Sequence, residues 1–426
     1  MARKCPTQAK AGSRVIPLLA LACGVAVGNV YFPQAVGPLI ADGLHVSPDS
    51  AASVVTAAQF GYAAGIFLLV PLGDRFAYRP LIVTLLGLTG VGLLAASAAP
   101  TLVPLVGASA FVGMATVVAP LAGPMAAGLV AADRRGVVGG TLLSGAIAGM
   151  LLSRALGGTV GEWLGWRAPY LLAGVLSLIV AVLLARALPR TPPTSTSSPS
   201  SPSPSPSPSP QRYPALLAES LRLLRTEPEL RRSCFCQAAV FAGFSAVWAN
   251  VALLLTSSTY GMSAQAVGVL ALVNAGTMVC APAAGRQVDR RGPDAVNLVC
   301  LLGVMVSAVV LAFGGLGGAP GLTALVLGTL LLDVGMQSGM IANQVRIYAL
   351  RAEVRSRLNT AYMTCAYLGG GLGSWLGARA YACFGWPGVC ALVASLAALA
   401  LVRHLAVPAS GAPGDSSHVS TSIVSR

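Results

Sequence analysis

The chain has 426 residues, of which 55% are hydrophobic and only 9% charged, against roughly 25% charged in a soluble domain. Uncharged stretches of about 20 residues recur, each long enough to cross roughly 30 Å of hydrocarbon, so the composition excludes a water-soluble globular protein. A formal charge of +14 raises the idea of a nucleic-acid partner, which the placement of the basic residues removes.

Taken in chain order, a cytoplasmic N-terminal segment, 1–14, carries Arg3, Lys4, Lys10 and Arg14. Six spans are then expected near 15–40, 50–72, 80–99, 101–132, 136–160 and 167–188. The first apolar stretch exceeds a signal-peptide core and has no small-residue cleavage site before the next span, so it is expected to remain as the first helix. Ser–Pro alternation over 198–210 offers no apolar side chain to bury and favours extended polyproline conformations. Residues 189–232 therefore read as a cytoplasmic Ser/Pro-rich linker. Near its end Leu216, Leu217, Leu221 and Leu224 alternate with Arg222 and Arg225, the pattern of a short amphipathic helix, either on the cytoplasmic membrane surface or simply solvated. Six further spans follow near 233–257, 263–285, 295–316, 321–345, 358–381 and 386–405, then a polar tail, 406–426, that reads as disordered. The expected fold is all-α and integral to the membrane: twelve transmembrane helices in two six-helix bundles, 15–188 and 233–405.

If the N-terminus is cytoplasmic, all of the 27 Lys and Arg fall on that side except Arg154, Arg167 and Arg379. This is the positive-inside distribution, and it implies an even number of spans with both termini cytoplasmic, in a bacterial inner membrane. The cations set topology, and no nucleic-acid partner is expected. The nine cysteines are scattered and do not suggest a disulfide framework. Cys234 and Cys236 form only a CxC pair, with no His or second pair nearby, and read as small apolar residues. No metal and no cofactor are expected.

Two landmarks recur in the same order on either side of the linker. Asp74-Arg75 after the second span is matched by Asp289-Arg290 after the eighth, and Gly165-Trp166 before the sixth by Gly385-Trp386 before the twelfth. The stretch Leu72-Gly73-Asp74-Arg75-Phe76-Ala77-Tyr78-Arg79 and its partner Gly285-Arg286-Gln287-Val288-Asp289-Arg290-Arg291-Gly292 resemble the loop signature of the major facilitator superfamily. In the first copy Val70 and Ala77 stand where that family usually has glycine. The resemblance implies that Asp74 and Asp289 latch the cytoplasmic side, Asp74 against the helix that begins near Leu358. Arg75, Arg79, Arg290 and Arg291 complete the expected cytoplasmic gate, by pairing with helix C-termini or lipid phosphate. Gln59-Phe60-Gly61-Tyr62 and the stretch from Asp333 to Gly373 are similar to a branch of bacterial efflux-type facilitators mostly without assigned substrates.

Polar groups inside spans are costly and mark candidate sites. Asp333 is the acid deepest in a span, and Gln337, Met340 and Gln344 follow it at steps of four, three and four, on one helical stripe. Such a stripe is expected to face a water-filled cavity or another helix. Arg154 lies in the outer half of the fifth span, beside a row of small residues, Gly145, Gly149, Ser153 and Gly157. It is expected either to snorkel to the outer surface or to partner Asp333 across the interface of the halves, and the two are the candidate proton-coupling residues. The same row resembles the Gly-rich motif of superfamily antiporters, which usually has proline where this chain has Arg154. The resemblance also implies that the first, fourth, seventh and tenth helices line a central cavity, which raises Asn29, Trp248, Asn250 and Asp333; with Gln59 and Tyr62 of the second span and Gln337 of the tenth they are the candidate substrate-binding residues. Tyr31, Gln34, Asn274 and Tyr362 are weaker signals, and Ser109 stands where many similar drug–proton exchangers carry an arginine.

A membrane enzyme would need clustered catalytic groups at the spans, which His45, His404 and His418 do not supply. Lys4 and Lys10 are the only lysines, which disfavours ATP-driven transport and a Schiff base within the membrane. The expected activity is proton-coupled efflux of a small organic substrate by alternating access. A passive facilitator of a small solute is the alternative, and a polytopic enzyme the more distant one. The expected partners are that substrate, protons and the lipid bilayer, and a monomer is the default.

Overall fold

The computed structural model describes residues 6–130, 135–188, 213–351 and 354–406. The Ser/Pro stretch, the tail and the first five residues, with Arg3 and Lys4, lie outside them. The described chain is a succession of helices: α1 (Pro6–Tyr31), α2 (Pro33–Leu44), α3 (Pro48–Leu69), α4 (Tyr78–Ser97), α5 (Leu102–Ala115), α6 (Val118–Leu129), α7 (Arg135–Leu164), α8 (Arg167–Ala187), α9 (Tyr213–Thr226), α10 (Pro228–Thr256), α11 (Gln265–Val273), α12 (Cys280–Ala312), α13 (Gly318–Leu350) and α14 (Arg355–Leu405). Nine of the described helical stretches are long and apolar enough to cross a membrane, and α1 with α2, bent by 41°, makes up to ten.

Proline and glycine explain where these helices break. Pro33 supplies no N–H and starts α2 after the bend at Phe32. Pro120 cannot donate to the carbonyl of Thr116, and at that point α5 ends and α6 begins, while the Thr116 hydroxyl donates to the Ala26 carbonyl of α1. At 51 residues α14 would be about 77 Å long if straight, but Gly385 interrupts it with φ 65°, a left-handed conformation that glycine adopts freely. Gly292 breaks α12 in the same way, with φ 80°. Both Gly-Trp landmarks are such corners: Gly165 has φ 82°, and after each glycine a buried tryptophan opens the next helix. Trp386 donates its indole N–H to the Leu311 carbonyl at 2.6 Å.

Helices pack through small residues, as is usual where lipid supplies no hydrophobic drive between them. In the first half of the chain α1 packs on α7, α3 on α5 and α4 on α8; in the second, α10 packs on α14 and α12 on α13. Gly149 of α7 lies directly against the backbone of Gly24 in α1. The halves meet where α3 packs on α14, α7 on α11 and α2 on α10. Thr56 donates to Ser374 at 3.3 Å, and the Ala264 N–H donates to the Glu162 carboxylate at 3.0 Å.

The amphipathic helix α9 is not confined to the membrane surface. Leu216, Ser220 and Leu223 are buried against protein, and Leu223 belongs to an apolar cluster with Leu230, Ile347, Leu358 and Tyr362. Glu219 pairs with Arg357 of α14 at 2.7 Å, and the Tyr213 hydroxyl donates to the Leu68 carbonyl at the end of α3. The helix thus touches both halves of the chain, because the leucine spacing that would suit lipid suits a protein groove equally well.

Candidate functional site

Arg154 does not snorkel. It is fully buried, projecting from α7 into the space where α1, α2, α10 and α13 converge. Its Nε and Nη2 donate to the Gln34 carbonyl oxygen at 3.0 and 2.8 Å, and its guanidinium lies 4.0 Å from the centroid of the Trp248 ring. Tyr31 and Phe244 flank it at 5.1 and 5.6 Å. A cation over an aromatic face in a desolvated setting is worth about 2 kcal/mol. The same indole donates its N–H to Asp333 Oδ1 at 3.0 Å. Arg154 and Asp333 are therefore joined through one side chain, the cation on its face and the anion on its edge. Gln34 and Arg154 come from the first half of the chain, Trp248 and Asp333 from the second.

A second group of side chains continues this centre. The Tyr31 hydroxyl is 3.5 Å from that of Tyr367, and the Tyr367 ring packs edge-on against Tyr62 and Phe241 at 4.4 and 4.9 Å. Gln59 accepts from the Ser245 hydroxyl at 3.1 Å, joining α3 to α10.

Of the sequence candidates, Arg154 and Asp333 each contact Trp248, and Gln59 and Tyr62 border them. Asn29 instead donates to Ser177 of α8 at 3.1 Å, inside the first half. Asn250 donates back to the Ala246 carbonyl of its own helix. Gln337 donates to Thr277 at 3.4 Å, and Gln344 reaches the Met363 sulfur at 3.9 Å, so the stripe below Asp333 faces other helices. Ser109 is buried. Tyr367, Phe241, Phe244 and Ser245 were not picked out from the sequence. Phe241, Phe244, Ser245 and Trp248 share one stripe of α10 by their 3–4–7 spacing, but α10 is buried nearly all round, so that spacing alone does not single them out.

At the end of the bundle that carries the α3–α4 loop, Asp74 and Tyr78 share a cavity of about 260 Å³ with Arg355, Ser356 and Asn359 in the first turns of α14. Arg79 donates to the Ala185 carbonyl near the C-terminus of α8, a favourable place for a cation. Arg75 is exposed, as are Asp289, Arg290 and Arg291. In the second half the engaged carboxylate is Asp294, which receives Arg346 at 2.6 Å and Arg232 at 2.9 Å. Glu229 pairs with Arg232 at 3.4 Å, and His404 Nδ1 lies 3.2 Å from both Arg232 Nη2 and Asn297 Nδ2. Both arginines are nearly buried while Asp294 is 41% exposed. Asp294→Asn is therefore expected to cost about 1–3 kcal/mol, between the surface and buried limits, read as a lower unfolding temperature of the purified protein. No change in that temperature would show the cluster to be energetically idle.

The fold and this buried polar centre define a multi-pass membrane transporter. Residues 18–342 and 233–425 match the family model of the Major Facilitator Superfamily, and the chain belongs to that superfamily. It is 34% identical over 388 residues to the putative uncharacterized transporter YgaY of Escherichia coli K12, covering 91% of this chain and 94% of that protein. It is 32% identical over 381 residues to the probable transporter SCO4007 of Streptomyces coelicolor, covering 88% and 84%. In fold it is similar to a point mutant of the nucleoside transporter NupG, with TM-score 0.72 at 12% identity over 92% of this chain and 98% of that one. It is also similar to a bacterial homolog of the human lysosomal transporter Spinster in an inward-facing, unoccupied conformation, with TM-score 0.65 at 17% identity over 93% and 94%.

Proposed function

We propose that the protein is a proton-coupled exporter of small organic molecules in a bacterial inner membrane, with both termini cytoplasmic. Twelve crossings follow if α1–α2 and α5–α6 each form one bent span, α11 continues into the first part of α12 as another, and the glycine corners at 292 and 385 each divide two spans. The two six-helix bundles, 15–188 and 233–405, then rock about the centre built on Trp248. Protons and the substrate share that centre, and the gate is the Asp74 cavity at the cytoplasmic end.

The observation that carries this reading is the Arg154–Trp248–Asp333 arrangement across the two halves. Gain or loss of one proton at Asp333 changes the charge of a buried contact by a full unit. Charges interact far more strongly in a low-dielectric interior than in water, so that one proton alters how strongly the halves hold each other.

A ligand that raises the unfolding temperature of the purified protein provides the substrate for the test. In proteoliposomes, a pH gradient is expected to concentrate that ligand through the wild type, and Asp333→Asn to abolish the concentrating effect. Unchanged coupling in Asp333→Asn removes the residue from the mechanism. Counterflow with no gradient dependence in the wild type makes the protein a facilitator.

A further inference from the structure

The centre holds one charge of each sign, and neither is used up by the other. Arg154 commits Nε and Nη2 to Gln34 and leaves Nη1 without a hydrogen-bond partner among the described residues. Asp333 takes the indole N–H on Oδ1 and leaves Oδ2 without one. Both side chains are 0% exposed, so bulk water does not satisfy these atoms, and an unmet buried polar group is costly. The Trp248 ring holds the two charges in fixed places, Arg154 on its face and Asp333 at its N–H edge. The Nε2 atoms of Gln34 and Gln59 are also unpartnered donors, and the neighbouring walls are the rings of Tyr31, Tyr62, Phe241 and Tyr367.

We infer that the substrate is an aromatic zwitterion of amino-acid type, carrying a carboxylate and a protonated amine on a short spacer beside a ring. The carboxylate goes to Arg154 Nη1 and the Gln34 amide, as guanidinium–carboxylate recognition favours. The ammonium goes to Asp333 Oδ2, and the ring to the tyrosine and phenylalanine walls. A simple amine leaves Arg154 unmet, a simple carboxylate leaves Asp333 unmet, and a neutral solute such as a nucleoside answers neither charge. This rests on the proposed reading of the centre as a shared proton and substrate site, and it gives that reading a coupling step. A proton and an ammonium group compete for one carboxylate oxygen, so arrival of either expels the other.

Matched probes separate these cases. The full-length purified protein is titrated at pH 7.5 with L-phenylalanine, 2-phenylethylamine, 3-phenylpropionate and uridine, following unfolding temperature and heat of binding. L-phenylalanine is expected to bind at least tenfold more tightly than either single-charge analogue. In Asp333→Asn its affinity is expected to fall to that of 3-phenylpropionate, and in Arg154→Gln to that of 2-phenylethylamine. The inference is overturned if the amine alone or the carboxylate alone binds as tightly, if uridine binds best, or if L-phenylalanine fails to bind the wild type. The exchanger reading is checked separately, without ligand, by the pH dependence of tryptophan emission in wild type minus Asp333→Asn. If the panel fails while that difference persists, only the substrate class falls; if the difference is absent, the proton reading falls with it.

Discussion

Leucine at Arg154 alone or at Asp333 alone is expected to destabilise the purified protein by about 3–5 kcal/mol, whereas leucine at both should cost clearly less than the sum. Each single change strands the opposite charge in a site that is 0% exposed. Arg154→Leu leaves an anion held only by the indole N–H; Asp333→Leu leaves a cation resting on the indole face and the Gln34 oxygen. The double change removes both charges and puts apolar volume among Tyr31, Phe244 and Trp248. Groups joined through a shared partner couple by about 0.5–3 kcal/mol. Equilibrium unfolding of the four proteins in one detergent gives the coupling directly, and strict additivity would show that the two charges do not sense one another across the ring.

The second large effect is expected at Gly149. A side chain there meets the Cα and carbonyl carbon of Gly24, which are backbone atoms and cannot swing aside as the tip of a side chain would. Gly149→Leu must push α1 from α7, at or beyond the upper end of the roughly 1–3 kcal/mol typical of overpacking. The same shift moves Gln34 away from Arg154, since one follows α1 and the other lies five residues along α7. Gly139 is on the same helix, exposed and with open space around it, so Gly139→Leu serves as the matched control. Size-exclusion profiles and unfolding temperatures of the two variants decide the matter: equal behaviour would mean that the glycine contact is not what seats α1.

How much of this was legible in the sequence depended on whether the signal was local. The Gly-Trp landmarks were readable because a left-handed glycine followed by a helix-opening tryptophan needs only neighbouring residues. Asp333 and Arg154 stood out because charged groups inside an apolar span must find a partner, and Trp248 was raised only by the family resemblance. Tyr367, Phe241 and Phe244 did not, since an aromatic side chain on a membrane helix looks the same facing lipid as facing a site. The helix that carries most of them, α10, is buried on nearly every side, so its periodicity names no face. Asn29 and Asn250 failed to reach the centre for the related reason that helix rotation is set by packing, not by composition. Arg232 and Arg346 were read as topology charges, and only the folded chain shows them closing on Asp294.

Because α9 is tied to the Leu68 carbonyl by Tyr213 and to Arg357 by Glu219, it staples the end of α3 to the start of α14. The two halves cannot part along the α3–α14 edge without surrendering one of those ties. Whichever yields first decides which half keeps α9, and so whether the end of α3 or the start of α14 is laid bare.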